Sequence, residues 1–172
     1  MLTEQQIQSV IADILDREGG YSNNAADRGG ATNFGITQET ANALGLGDVR
    51  SLSRTAASDA YAKLFAQWGI TAIPDYPTFH LVADSCVQHG PGNAIKWLQS
   101  AIRADPDGNL GPVSIGKMGE VVRFDGVYYS ILAARLRFYG QIIAKNASQA
   151  VFAAGWLNRL SAFVYPAPTW TP

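Results

Sequence analysis

Metal-binding and cross-linking residues are scarce in this chain, which has one cysteine and two histidines in 172 residues. The lone Cys86 excludes an intrachain disulfide, and with so few Cys and His none of the usual zinc spacings can be built. No metal and no cofactor are expected. An excess of one charge is also missing: thirteen Lys and Arg stand against fourteen Asp and Glu, with no basic block of the kind that holds a nucleic acid backbone. Nucleic acid is therefore not an expected partner. No apolar run approaches the length of a membrane span. The amino-terminal stretch MLTEQQIQSVIADILDRE has no basic segment ahead of its apolar residues, so it does not read as a cleaved signal. The expectation is a soluble monomer, made in the cytoplasm without a signal peptide and with no stable membrane association.

What is present is a hydrophobic content of 47%, enough for a real core in a single domain. Thr3 and Gln6 form a capping-box pattern, and Ile7, Val10, Ile11, Ile14 and Leu15 follow at helical spacing. Turn residues come next, at Ser22 to Asn24 and Asp27 to Gly30. Thr32, Phe34 and Ile36 then alternate with smaller or polar neighbours, which predicts a short hairpin. Thr37 is placed to cap a short helix running to Leu44, and Ser53 a longer one carrying Ala57, Tyr61, Leu64, Phe65 and Trp68 on one face. Pro74 and Pro77 read as an interruption, with helix resuming at Thr78. HGPGN separates that helix from another carrying Ala94, Leu98, Ala101 and Ile102, and DPDGNLGP, Asp105 to Pro112, is a turn cluster. Two long helices are predicted over Val127 to Ile143 and Val151 to Val164, with an extended tail from Tyr165. The expected fold is mainly α, one domain over 1–172 with sub-lobes 1–76 and 77–172 and a small β-hairpin lobe next to the first helix.

The candidate chemistry lies in REGGYSNNAADRGGATNFGIT, Arg17 to Thr37. Glu18 follows Ile14, Ile11 and Ile7 at helical intervals, so it continues the apolar stripe and points inward. Burial and the negative end of the helix dipole both disfavour an ionised carboxylate, which is how a general acid is made. From spacing alone a solvated Glu beside Arg17, with Gly19 and Gly20 as a mere helix stop, is the commoner outcome. The second carboxylate, Asp27, shifts that balance. Placed in a polar turn, it stays ionised opposite a protonated acid, the division of labour that glycoside hydrolysis needs. Thr32 and Asn33 offer side chains that could position a water or a sugar hydroxyl. Tyr21, beside the glycines, is the aromatic best placed to contact a sugar, whereas helical spacing assigns Trp68 and Trp156 to core packing. In DPDGNLGP, Asp105, Asp107 and Asn109 alternate as in a calcium loop, but Leu110 and Gly116 occupy the positions where such a loop needs Gly and Glu. That segment reads as a structural turn.

EGGYSNNAADRGGATNFGIT resembles the signature of glycosyl hydrolase family 108, the bacterial and phage N-acetylmuramidases. ADSCVQHGPGNAIKWLQ, Ala83 to Gln99, and DGNLGP, Asp107 to Pro112, are similar to the family's carboxy-terminal, predicted peptidoglycan-binding half. The resemblance implies a lysozyme-like helical fold, peptidoglycan glycan strands as partner, Glu18 as catalytic acid, and Asp27 with Thr32 completing the catalytic set, Asn33 being the alternative to Thr32. Tyr21, Asn33, Phe34 and Gln88 become the expected substrate contacts. The implied activity is that of a lysozyme, cleaving between N-acetylmuramic acid and N-acetylglucosamine with inversion, in the setting of a phage endolysin. A lytic transglycosylase and a non-catalytic wall-binding or virion module are the competing expectations.

Overall fold

A computed structural model describes residues 1–23 and 30–164. Helix α1, Glu4–Glu18, starts at the expected capping box: Thr3 accepts from the Gln6 amide, and the Gln6 side chain accepts from the Thr3 amide at 2.9 Å. Val10, Ile11, Ile14 and Leu15 are its buried stripe, and it ends at Gly19, whose φ of +71° suits a residue without a Cβ. The chain then returns as a hairpin of β1, Thr32–Asn33, and β2, Ile36–Thr37, paired antiparallel with Thr32 opposite Thr37 and Asn33 opposite Ile36. Phe34 and Gly35 form the two-residue connection, both at positive φ as a type I′ turn requires. Ser22 makes a backbone bridge to Thr32 in both directions, at 2.8 and 2.9 Å, which ties the segment after α1 to the hairpin.

Thr37 caps α2, Gln38–Ala43, and Ser53 caps α3, Arg54–Gln67, as their hydroxyls and positions predict. Helix α4, Tyr76–His89, lies at the centre, packed against α1, against α5, Pro91–Ala101, and against α7, Asp125–Lys145. It is buried nearly all round from Leu81 to Cys86, the pattern of a helix with neighbours on every side. Phe79 of α4 meets Phe65 of α3 edge to face at 5.7 Å; each such ring taken out of water contributes about 2–3 kcal/mol. The buried Gln99 of α5 shapes the DPDGNLGP turn: its amide donates to Asp107 at 2.7 Å and to the Asn109 carbonyl at 2.9 Å, and its oxygen accepts from the Gly108 amide at 2.8 Å.

The structure corrects three boundaries. Pro77 does not interrupt α4 but sits in its first turn, where a missing N–H costs nothing, with Asp75 as the cap. A helix the spacing did not reveal, α6, Pro112–Gly119, follows the turn cluster; its two glycines and short length gave no periodic signal. The expected helix over Val151 to Val164 is instead a 3-10 segment, Ala147–Phe152, followed by α8, Ala153–Ser161. The predicted turn around Asp27 and the extended tail from Tyr165 lie outside the described residues.

Candidate active site

Glu18 closes α1 with its side chain 13% exposed. Two donors converge on its Oε1: Arg159 Nη2 of α8 at 2.7 Å and Gln88 Nε2 of α4 at 2.9 Å. Arg17, the neighbour on which a solvated Glu18 would rely, is turned away to Asp13 at 2.7 Å. The Arg159 guanidinium continues to Asp84 of α4, with Nη2 2.6 Å from Oδ1 and Nε 2.9 Å from it. Arg135 of α7 closes the chain of charges on Asp84 Oδ2 at 2.6 Å, with both of those side chains fully buried. Two carboxylates, Glu18 and Asp84, thus share two guanidiniums, with Arg159 bridging them.

The electrostatics follow from that arrangement. Burial works against ionised Asp84, but the charge of Arg135 and the hydrogen bond from Arg159 outweigh it and hold the carboxyl below its ordinary value. Burial likewise works against the Arg159 charge, and Asp84 and Glu18 more than offset it. The Tyr61 phenol is pushed up by burial and by the charge of Glu18, so it stays protonated and donates to the Phe34 carbonyl at 2.8 Å. That bond holds the tight turn against Glu18. A Cβ on Gly35 would stand 2.7 Å from Tyr61 Oη, 2.8 Å from Glu18 Cγ and 3.0 Å from Glu18 Oε2, so only glycine fits, and Oε2 faces the turn.

Gly35 and Tyr61 form part of the wall of a cleft of about 550 Å³ that runs past Thr40 and Val87 to Trp68 and Pro91. A further hollow of about 470 Å³ shares Gln67, Trp68 and Pro91 with it and reaches the Gln99-braced turn at Gly108 to Gly111. The two hollows adjoin along these shared residues. Trp68, expected in the core, is only partly buried and lines both hollows.

Of the residues singled out from sequence, the structure brings Glu18 and Gln88 together. Phe34 supplies the carbonyl that Tyr61 grips. Thr32 is half-buried on β1. Asn33 is turned into the interior, its amide donating to the carbonyls of Val49 at 3.0 Å and Leu52 at 3.3 Å. Tyr21 is 39% exposed and lies under the Arg50 guanidinium, 5.5 Å from its ring centroid. Asp27 lies outside the described residues. Sequence reasoning missed Arg159, Asp84, Arg135 and Gly35, and it placed Tyr61 on a helix face without its bond to the turn. A signal for Asp84 and Arg135 was there: each is a charge set into an apolar stripe, the same feature that marked Glu18. Among the described residues no cluster of three or more His, Cys, Asp or Glu could hold a metal ion, and no helix is long and apolar enough to cross a membrane.

Comparison with known proteins agrees with this layout. The sequence model of the family described as Glycosyl hydrolase 108 matches residues 11–90, the stretch from α1 to the end of α4 that holds Glu18, Gly35, Tyr61, Asp84 and Gln88. A second, described as Predicted Peptidoglycan domain, matches residues 93–161, which supply Arg135 and Arg159. Among solved structures, SagA of Brucella abortus superposes with a TM-score of 0.78 at 26% identity, over 94% of this chain and 92% of that one. Comparison with curated proteins finds no match. With a glycosyl hydrolase 108 domain over residues 11–90 followed by a predicted peptidoglycan domain over 93–161, the chain is a glycoside hydrolase of lysozyme-like fold acting on peptidoglycan.

Proposed function

We propose that the protein is a muramidase, hydrolysing the β-1,4 bond between N-acetylmuramic acid and N-acetylglucosamine, with Glu18 as general acid. The observation that carries this reading is the clamping of Glu18: Oε1 is occupied by Arg159 and Gln88, while Oε2 lies beside Gly35, a residue of the cleft wall. Fixing one oxygen fixes the direction of the other, from which a proton is handed to the glycosidic oxygen as the bond to the sugar stretches. Arg159 and Gln88 touch Glu18 and set its orientation, so they are positioning residues.

Asp27 is the base in this proposal, activating the water that attacks from the opposite face of the ring. Thr32 is a better partner for that water than Asn33, whose amide is committed to Val49 and Leu52. With Asp27 acting as base on a water rather than as nucleophile, the anomeric configuration inverts in a single displacement. Tyr21 and Phe34 at the hairpin, with Trp68 further along the cleft, are the apolar surfaces for pyranose rings. Lysis of a bacterial wall, the task of a phage endolysin, is the setting we infer. The test is Glu18→Gln, which keeps size and polarity and removes the proton. Release of reducing ends from purified peptidoglycan should fall at least about a hundredfold with the thermal transition retained. Normal turnover by a folded variant overturns the assignment.

A further inference from the structure

A second groove lies on the other side of the α4–α5 corner, between α5 and α7. Trp97, Ser100 and Arg103 on one side and Ser130, Arg137 and Phe138 on the other border a volume of about 590 Å³. Its aromatic floor is firm: Trp97 meets Phe138 at 5.4 Å, and His89 packs on both at 5.4 and 5.3 Å. Arg103 and Arg137 are exposed at its rim, and neither side chain has a hydrogen-bond or ion-pair partner among the described residues.

Arg103 also occupies an unusual backbone position. It ends α5 in the left-handed region, φ +60°, with its amide bonded to the Ser100 carbonyl at 3.3 Å and the Ala104 amide to the Gln99 carbonyl at 2.8 Å. This is the Schellman closure in which glycine is the usual residue at that place. An arginine there carries backbone strain that glycine would avoid, so the turn itself does not call for this side chain. Strain held at the rim of a cavity, with a free guanidinium, points to a ligand.

We propose that this groove binds the peptide stems of peptidoglycan, with Arg103 and Arg137 receiving stem carboxylates and the Trp97–Phe138 surface covering their apolar groups. The inference rests on the peptidoglycan reading above and adds to it a site for the peptide. Charge decides between stem and sugar: a neutral N-acetylglucosamine offers nothing to two guanidiniums that have no partner among the described residues, whereas a carboxylate accepts the planar fork of an arginine in two parallel bonds. Every residue that lines the groove falls within 93–161, the part matched by the predicted peptidoglycan domain. The last turn of α4 links the two sites, since Gln88 reaches Glu18 and the next residue, His89, supports the groove floor.

The test uses the full chain with two soluble probes, N-acetylglucosaminyl-N-acetylmuramic acid carrying a tetrapeptide and the same disaccharide with its lactyl carboxyl capped as a primary amide in place of the peptide; neither contains the scissile bond. Isothermal titration should show tighter binding of the peptide-bearing probe, and raising the salt should weaken it. Arg103→Gly and Arg137→Gln should each weaken that binding about three- to fivefold, the scale of an exposed charge pair, while leaving the peptide-free probe unchanged. Arg103→Gly should melt no lower than the wild type, because it relieves the left-handed strain, so its loss of binding cannot be unfolding. Equal affinity for both probes, or unaltered binding by both variants, overturns the proposal. So does a glycerol-phosphate oligomer that competes as well as the tetrapeptide probe, which would make the site one for phosphate. Release of reducing ends from peptidoglycan by the wild type is read separately: if it occurs while the arginine variants bind normally, only the groove assignment fails, and if it is absent, the hydrolase reading fails.

Discussion

Gly35→Ala isolates the packing of the turn against Glu18 from every other contribution. The added Cβ would meet Glu18 Cγ at 2.8 Å, whereas carbon pairs rest at about 3.5–4.0 Å, so one side must retreat by about 0.7 Å or more. Tyr61 Oη, 2.7 Å from the same Cβ, is buried and anchored on Phe34, which leaves Glu18 and the turn to move. Moving Glu18 lengthens its bonds to Arg159 and Gln88 and turns Oε2 away from the cleft. A misplacement near 1 Å at a reacting group costs on the order of a hundredfold in turnover. The backbone adds strain of about 1–2 kcal/mol, because φ at Gly35 is +75°. Gly45→Ala is the matched control: φ is +70° and nothing lies within 4 Å of its Cβ, so it carries the strain without the clash. Both variants should lose stability in thermal unfolding, Gly35→Ala the more because the clash adds to the strain, and only Gly35→Ala should lose activity on peptidoglycan. Equal activities would refute the claim that Gly35 is required for the placement of Glu18.

Asp84→Asn leaves the fully buried Arg135 without a carboxylate and should cost about 3–5 kcal/mol, read as a fall in Tm of about 10 °C; an unchanged Tm would show that the buried charges are not coupled to folding. His89 is pushed down to about 3, first by burial and then by the charge of Arg135, from an ordinary 6.5. The unfolded chain therefore binds a proton below pH 6.5 that the folded chain refuses until about 3, so stability falls as pH drops through that window, by up to about 1.4 kcal/mol per pH unit. His89→Phe, which keeps a ring among Trp97, Phe138 and Tyr139, should flatten the urea midpoint between pH 6 and 4, and an identical slope in both proteins would contradict this.

Local rules made much of the fold legible. Thr3, Thr37 and Ser53 mark helix starts because a hydroxyl that caps an amide acts within three residues. The two-residue turn at Phe34–Gly35 and the stop at Gly19 are likewise short-range. Glu18 could be placed inward from the stripe it continues, but its partners could not, since Gln88 is seventy positions away and Arg159 belongs to another helix at the far end of the chain. Ion pairs between distant segments leave no periodic trace. What they leave is an anomaly, a charge in an apolar stretch, and Asp84 directly after the buried Leu81, Val82 and Ala83 is such a case. Arg135, one helical turn before Tyr139 and one after Ile131, is another. Asn33 shows the opposite limit: its polarity suggests a substrate contact, and its position places it under the carbonyls of Val49 and Leu52.

The central claim is hydrolysis of one particular bond by water, and mass spectrometry of the fragments released from purified peptidoglycan tests it most directly. Muramic acid should appear at the new reducing ends as the ordinary sugar, with Glu18→Gln releasing almost none. Fragments ending in 1,6-anhydromuramic acid, lighter by one water, would make the enzyme a lytic transglycosylase, and reducing N-acetylglucosamine ends would place the cut at the other glycosidic bond.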